Sequence, residues 1–255
     1  MNSAVINTFV VRGTSLDKAF VANTIKEILA TITIKELFEN YTLKNRFASH
    51  VTFDIVIETV WALFNEIDYQ TPINVSDYGV ELHIVRHGED DKNKLGGWSG
   101  NHLTDKGREQ ISDLISFLDK DYEALVSSDL ERAKETAAII SEKLGKPFFY
   151  DEAFRETNNG DLKDLNIEES EAKYPGLSYS TLKMDECYPN GESPSMFFER
   201  VSNAFKQLLE ENRNKKVLLV THAGVITVIL CLVNGLRYSN LLDIAPPTGS
   251  LIKLK

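Results

Sequence analysis

Cysteine is scarce: the 255 residues hold two, Cys187 and Cys231. A disulfide framework is therefore excluded as the basis of the fold. Cys231 lies inside the apolar run Val225–Val233 and reads as a small core residue, while Cys187 lies in a polar, loop-like stretch. An intracellular, reducing setting is the simpler expectation. Positive charge is short as well. Lys and Arg total 28 against 38 Asp and Glu, a formal net charge of −10, which argues against the basic face that a nucleic-acid partner requires. Long apolar runs are missing. The stretch around Cys231 is far below membrane-spanning length, and no basic leader precedes the short run Ala4–Val11. The expectation is a soluble, cytoplasmic protein without a membrane partner. The five histidines join no His/Asp/Glu cluster at metal-ligand spacing, so neither a metal nor another cofactor is expected.

What is present divides the chain into two textures. Residues 1–77 look mainly helical: Ile25, Ile28, Leu29 and Ile32 recur at helical spacing, and Leu37, Phe38 and Tyr41 continue it. Thr33 and Glu36 stand at capping-box spacing. A third apolar segment runs from Val51 to Ile67, and Thr71-Pro72 and Ser76-Asp77 punctuate the exit. His50 stands alone there and reads as a surface or helix-start residue. The apolar stripes of this accessory region must be buried, either on the rest of the chain or against a second copy, which would make a homo-oligomer through the N-terminal helices.

Residues 78–255 alternate strand and helix. Strands are predicted at Val80–Val85, Ala124–Val126, Pro147–Tyr150, Lys216–Thr221 and Leu251–Leu254. One helix opens near Thr104 and carries Ile111, Leu114, Ile115 and Leu118. Another is capped by Ser128 or Asp129 and ends at Leu144. Ser193-Pro194 starts a third, because proline suits the first helical position, and a fourth stops at Asn234-Gly235. This order predicts an α/β domain: a mostly parallel sheet with helices on both faces, preceded by the helical extension.

The chemistry concentrates at strand ends. Arg86-His87-Gly88-Glu89 follows the first strand, and His222-Ala223-Gly224 follows a later, very apolar one. Open α/β sheets bind ligands beyond the carboxyl ends of their strands, so two histidines far apart in sequence can meet there. Each has a glycine within two residues, which lets backbone N–H groups approach an anion. Arg132 belongs to a third strand-to-helix junction, Ser127–Ala137, and projects toward the same edge. His83 lies within the first strand and reads as a packed or edge residue. His102 reads as incidental. Trp98 fits either a pocket wall or packing beneath its loop.

With that third block the chain resembles the histidine phosphatase superfamily, in the branch of cofactor-dependent phosphoglycerate mutases and fructose-bisphosphatases. The resemblance runs through Arg86-His87-Gly88-Glu89, Asn93, Gly97-Trp98-Ser99-Gly100, Leu103–Gly107, Ser127–Ala137, Phe154-Arg155-Glu156, Gly191-Glu192-Ser193 and Val220–Gly224. It implies that His87 attacks phosphorus to give a phosphohistidine. Arg86, Arg132 and, if protonated, His222 would hold the phosphoryl oxygens. Glu156 would protonate the leaving oxygen and then deprotonate water. Asn93, Ser99 and Gly100 match positions that contact the transferred group in relatives. The implied activity is a metal-independent phosphomonoester hydrolase acting on a small, anionic phosphate ester.

The sequence also departs from the family. Asn158 and Asn159 stand where relatives often carry residues that shape the substrate pocket, which leaves the substrate open. Residues 157–221 leave no obvious room for the insertions of glycolytic mutases, so hydrolysis is expected over a phosphomutase activity. Ala223, where an aspartate would follow His222, disfavours the histidine acid phosphatase branch. A third expectation to be tested is a phosphoprotein phosphatase or a regulatory protein with the N-terminal region as its interaction module.

Overall fold

Strands form where apolar residues are dense enough to be covered on both sides. The computed structural model describes residues 71–91 and 93–254, which belong to one unit, Gln70–Lys255. The proposed N-terminal helices, the Thr33–Glu36 capping spacing and His50 lie outside the described residues. Among the described residues five strands occur: β1 (Glu81–Arg86), β2 (Ala124–Ser127), β3 (Phe149–Tyr150), β4 (Lys216–Thr221) and β5 (Leu251–Leu254). They form one sheet in the order β3-β2-β4-β1-β5. All pairs are parallel except β1 with β5. The central strands are the most apolar, with Leu82, Ile84 and Val85 of β1 and Val217–Val220 of β4 buried, as expected of strands covered on both faces.

The helices are α1 (Asp105–Leu114), α2 (Glu131–Leu144), α3 (Ile167–Lys173), α4 (Pro194–Glu211) and α5 (Ala223–Asn234). One face of the sheet packs Val85, Leu218 and Val220 against Ile111 and Leu114 of α1 and Ala133, Ala137 and Ile140 of α2. Alternation along the strands sends Leu82, Ile84, Val217 and Leu219 to the other face. There α4 and α5 pack together, and α5 lies against β1. The α/β architecture with helices on both faces is as the sequence implies.

Local chemistry explains most of the boundaries. Thr104 caps α1 by accepting from Gly107 N, and the last predicted turn of that helix tightens into a 3-10 segment at Ile115–Phe117. Ser193 caps α4 by accepting from Met196 N, with Pro194 in its first turn. Gly235 closes α5 in the left-handed conformation. Two expectations need correction. Neither Ser128 nor Asp129 caps α2: its N-cap is Leu130, with no side-chain bond. The third strand is confined to Phe149–Tyr150, since Pro147 has no N–H to give a ladder. The segment before β1 is tied to the domain, with Val75 buried and Ile73 N donating to Leu232 O at 2.9 Å.

Candidate active site

Sheet register puts the two distant histidines side by side. Arg86, the last residue of β1, pairs with Thr221, the last of β4. His87 and His222 therefore leave adjacent parallel strands at the same level, and His87 N still donates to Thr221 O at 3.0 Å. Their ring centroids lie 5.1 Å apart, close to the spacing of neighbouring strands. On the far side of β4, Ser127 pairs with Val220, so Ser128 leaves β2 next to His222. Its Oγ lies 2.8 Å from His222 Nε2.

The hydrogen-bond partners fix the state of His87. Nδ1 lies 2.8 Å from the carbonyl of Gly88, which only accepts, so Nδ1 carries the proton. Nε2 is left with its lone pair, and Arg132 Nε donates to it at 3.3 Å. Burial, followed by the Arg132 charge, pushes the His87 pKa well below its ordinary value. The ring is neutral near pH 7. His222 is pushed down in the same way by burial, Arg132 and His87. Burial first, and then the cations beside it, favour the neutral form of His222 until an anion offsets them.

Arg132 is buried beneath this pair, with 2 % of its surface exposed. Its Nη1 and Nη2 donate to the carbonyls of Ser99 and Gly97 at 3.1 and 2.8 Å, and Asp90 lies 3.6 Å from its Nε. Arg86 Nη1 donates to Pro246 O at 2.7 Å. Arg86 Nε and His222 Nδ1 are buried with no partner, although buried polar atoms are normally paired. The acidic chain thus gathers two guanidiniums and two imidazoles at the carboxyl edge of its sheet.

Glu156 approaches from the loop after β3. Its carboxylate accepts from Gly224 N at 3.0 Å and from its neighbour Thr157 N at 3.1 Å. It therefore caps the first turn of α5, whose own N-cap residue His222 makes no side-chain cap bond. Glycine at 224 leaves room for the carboxylate, since a Cβ there would lie 2.3 Å from Glu156 Oε1. Gly88 serves a similar purpose: its Cβ would stand 2.5 Å from Gly107 O, so the loop after β1 and the start of α1 touch backbone to backbone.

The other predicted contacts are engaged within the protein. Asn93 is exposed, and its N and Nδ2 both donate to Asp91 Oδ1. Ser99 Oγ accepts from Asp164 N at 2.9 Å, and Gly100 N donates to Asp164 Oδ1 at 2.8 Å. These three residues shape the loop over Arg132. Trp98 packs and bonds at once, with Nε1 donating to Glu156 O at 2.7 Å and the Arg155 guanidinium 4.7 Å above its ring. Asn159 ties the same loop down, accepting from Trp98 N at 3.0 Å. His102 is exposed and pairs with Glu135, and His83 is buried against Tyr122 and Glu81.

Arg200 of α4 was not singled out from sequence. It donates to the Glu192 carboxylate at 2.6 Å and to the carbonyls of Ala153, Arg155 and Glu156. It thereby pins the loop that presents Glu156. The only signal in the sequence was Glu192 within the Gly191–Ser193 block. Among the described residues, Glu81, His83 and Asp119 converge as a metal site would require. Lys216 Nζ already pairs with Asp119 and lies 3.6 Å from Glu81. That cluster sits at the other end of β1, roughly 17 Å from the histidines.

Beside Glu156 a cavity of about 590 Å³ opens between the loops around Leu95 and Tyr179 and the start of α5. Asn159 lines it and Asn158 does not.

Comparison with known proteins identifies the family. The family model described as the histidine phosphatase superfamily (branch 1) matches residues 82–255. Phosphoglycerate mutase-like protein 4 of Arabidopsis thaliana is 34 % identical over 159 residues, 59 % of this chain and 69 % of its own length. An uncharacterized phosphatase of Bacillus subtilis, PhoE, is 32 % identical over 156 residues, 60 % of this chain and 76 % of its own. Among solved structures, the alpha-ribazole phosphatase of Shigella flexneri superposes with a TM-score of 0.60 at 25 % identity, covering 67 % of this chain and 88 % of that one. A mycobacterial glucosyl-3-phosphoglycerate phosphatase gives 0.54 at 25 % identity, covering 68 % and 88 %.

Proposed function

The chain belongs to the histidine phosphatase superfamily, and from that membership we propose that it hydrolyses phosphate monoesters through a phosphohistidine on His87. The observation that carries the proposal is the lone pair of His87 Nε2, free of a proton and flanked by Arg132. In the first half-reaction Nε2 attacks phosphorus and the P–O bond to the alcohol breaks. Glu156 gives its proton to the departing oxygen. In the second, water attacks phosphorus, its proton passes to Glu156, and the P–N bond breaks. Splitting one difficult displacement into two is the benefit of the covalent step.

Phosphoryl transfer is mostly positioning and charge stabilisation. Arg132, Arg86 and His222 supply both, the buried Arg86 Nε and His222 Nδ1 having no protein partner. A phosphate dianion brought beside His222 opposes the shift that the arginines impose, so the imidazole takes up its proton as substrate binds. The arginines provide the positive charge, and metal-free turnover follows from that. With no insertion in residues 157–221 to exclude water, hydrolysis is favoured over a mutase activity. Residues 1–77, of which only 71–77 are described, are proposed as an accessory region outside the chemistry.

Burst kinetics test the scheme. Glu156→Gln should slow phosphoenzyme formation far more for an alkyl phosphate than for p-nitrophenyl phosphate, whose leaving group departs unprotonated. Equal losses would reject the acid role.

A further inference from the structure

The cavity beside Glu156 has a consistent chemical character. It borders the phosphate-handling residues through Glu156, Ala223 and Gly224, so it is where the alcohol portion of an ester would lie. At about 590 Å³ it is of the size that accepts a ring-bearing small molecule. Leu95, Leu177, Tyr179 and Tyr188 give it an apolar wall, with the Tyr179 and Tyr188 rings stacked at 6.5 Å between centroids. Burial holds the Tyr188 hydroxyl up at about 12 and raises that of Tyr179 also, so neither phenol adds charge. Among the described residues, no lysine, arginine or histidine lines it, whereas Glu171 and Asp243 stand with Glu156 on its wall. Glu171 and Asp243 are exposed and form the rim.

On the phosphatase reading above, we infer that the substrate is a monoester of an apolar, ring-sized alcohol without negative charge, rather than a phosphorylated acid or a bisphosphate. The positive charge of the site is confined to the group being transferred. A second anion on the alcohol meets the Glu171 and Asp243 carboxylates and no cation, and like-charge juxtaposition is an effective means of excluding a ligand. The apolar wall rewards a ring by burying it.

A matched pair of esters tests this with the full chain. Phenyl phosphate and 4-carboxyphenyl phosphate differ by one remote negative charge. The expected result is a kcat/KM about 100-fold higher for phenyl phosphate, the factor that corresponds to about 2.7 kcal/mol of like-charge repulsion. Asp243→Lys, a substitution at an exposed position, should narrow that ratio about tenfold. Values within a factor of about three, or a preference for the carboxylated ester, overturn the inference while leaving the phosphatase reading intact. An unchanged ratio in Asp243→Lys also overturns it. Hydrolysis of neither ester means that the phosphatase reading itself has failed.

Discussion

Gly224 offers a way to move Glu156, the proposed proton donor, without touching it. In Gly224→Ala the added methyl would stand 2.3 Å from Glu156 Oε1 and 3.1 Å from Phe197 Cζ. Ordinary contact needs roughly 3.5 Å, so the carboxylate must retreat by about 1 Å and give up its bond from Gly224 N. A displacement of about 1 Å from the productive geometry typically costs on the order of 100-fold in rate. Stability should change little. Alanine in place of glycine in a helix gains about 0.5–1 kcal/mol, which offsets crowding at Phe197. The assay is kcat on an alkyl phosphate beside the urea midpoint of the same protein. The expected outcome is a loss near 100-fold with a midpoint shift worth less than about 1 kcal/mol. A well-folded Gly224→Ala enzyme with undiminished alkyl turnover would refute the placement of Glu156 as proton donor.

Other perturbations address the rest of the site. Arg132→Ala should slow alkyl and aryl esters alike, because both share the transferred group; a loss confined to one class in single-turnover assays would contradict that. Removing Arg200, as in Arg200→Met, frees the Glu156 loop and leaves the Glu192 carboxylate with only its bond from Asn158 N, so the urea midpoint should fall by an amount worth about 2 kcal/mol. The site also predicts the sign of a pH effect. His87 and His222 sit well below the ordinary 6.5 in the fold, whereas the unfolded chain titrates near that value. Stability is therefore full above about pH 6.5 and declines as pH falls below it; denaturation at pH 8 and pH 5 checks the direction. Excess EDTA should leave the rate within a factor of about two, because arginines do the work of a cation.

Sequence reading succeeded where apolar residues run together. The runs Lys216–Thr221 and Leu251–Leu254 became strands at the expected boundaries, because an apolar run bounded by polar residues has few other ways to be covered. The meeting of His87 and His222 was legible for a related reason: each ends a central strand, and parallel register does the rest. What was lost depends on choices among polar partners. A serine at a strand-to-helix junction is the commonest helix cap, yet Ser128 Oγ is taken by His222 Nε2 and α2 starts without a side-chain cap. Arg200 has no periodicity or motif of its own, and its role follows from carbonyls that three loop residues happen to present. The downward shift of His222 was likewise invisible, since it depends on how deeply the ring is buried and on the cations beside it. Asn93, Ser99 and Gly100, named as substrate contacts, also brace their loops through Asp91 and Asp164, which the sequence did not disclose.

The central claim is the covalent step on His87, and trapping it is the most direct measurement. The enzyme is mixed with ³²P-labelled p-nitrophenyl phosphate, quenched in alkali within the burst, and digested to locate the label. The account predicts an acid-labile, alkali-stable phosphate on the peptide that contains His87, absent from a folded His87→Ala protein. Label retained by His87→Ala, or carried by any peptide other than that of His87, would contradict it.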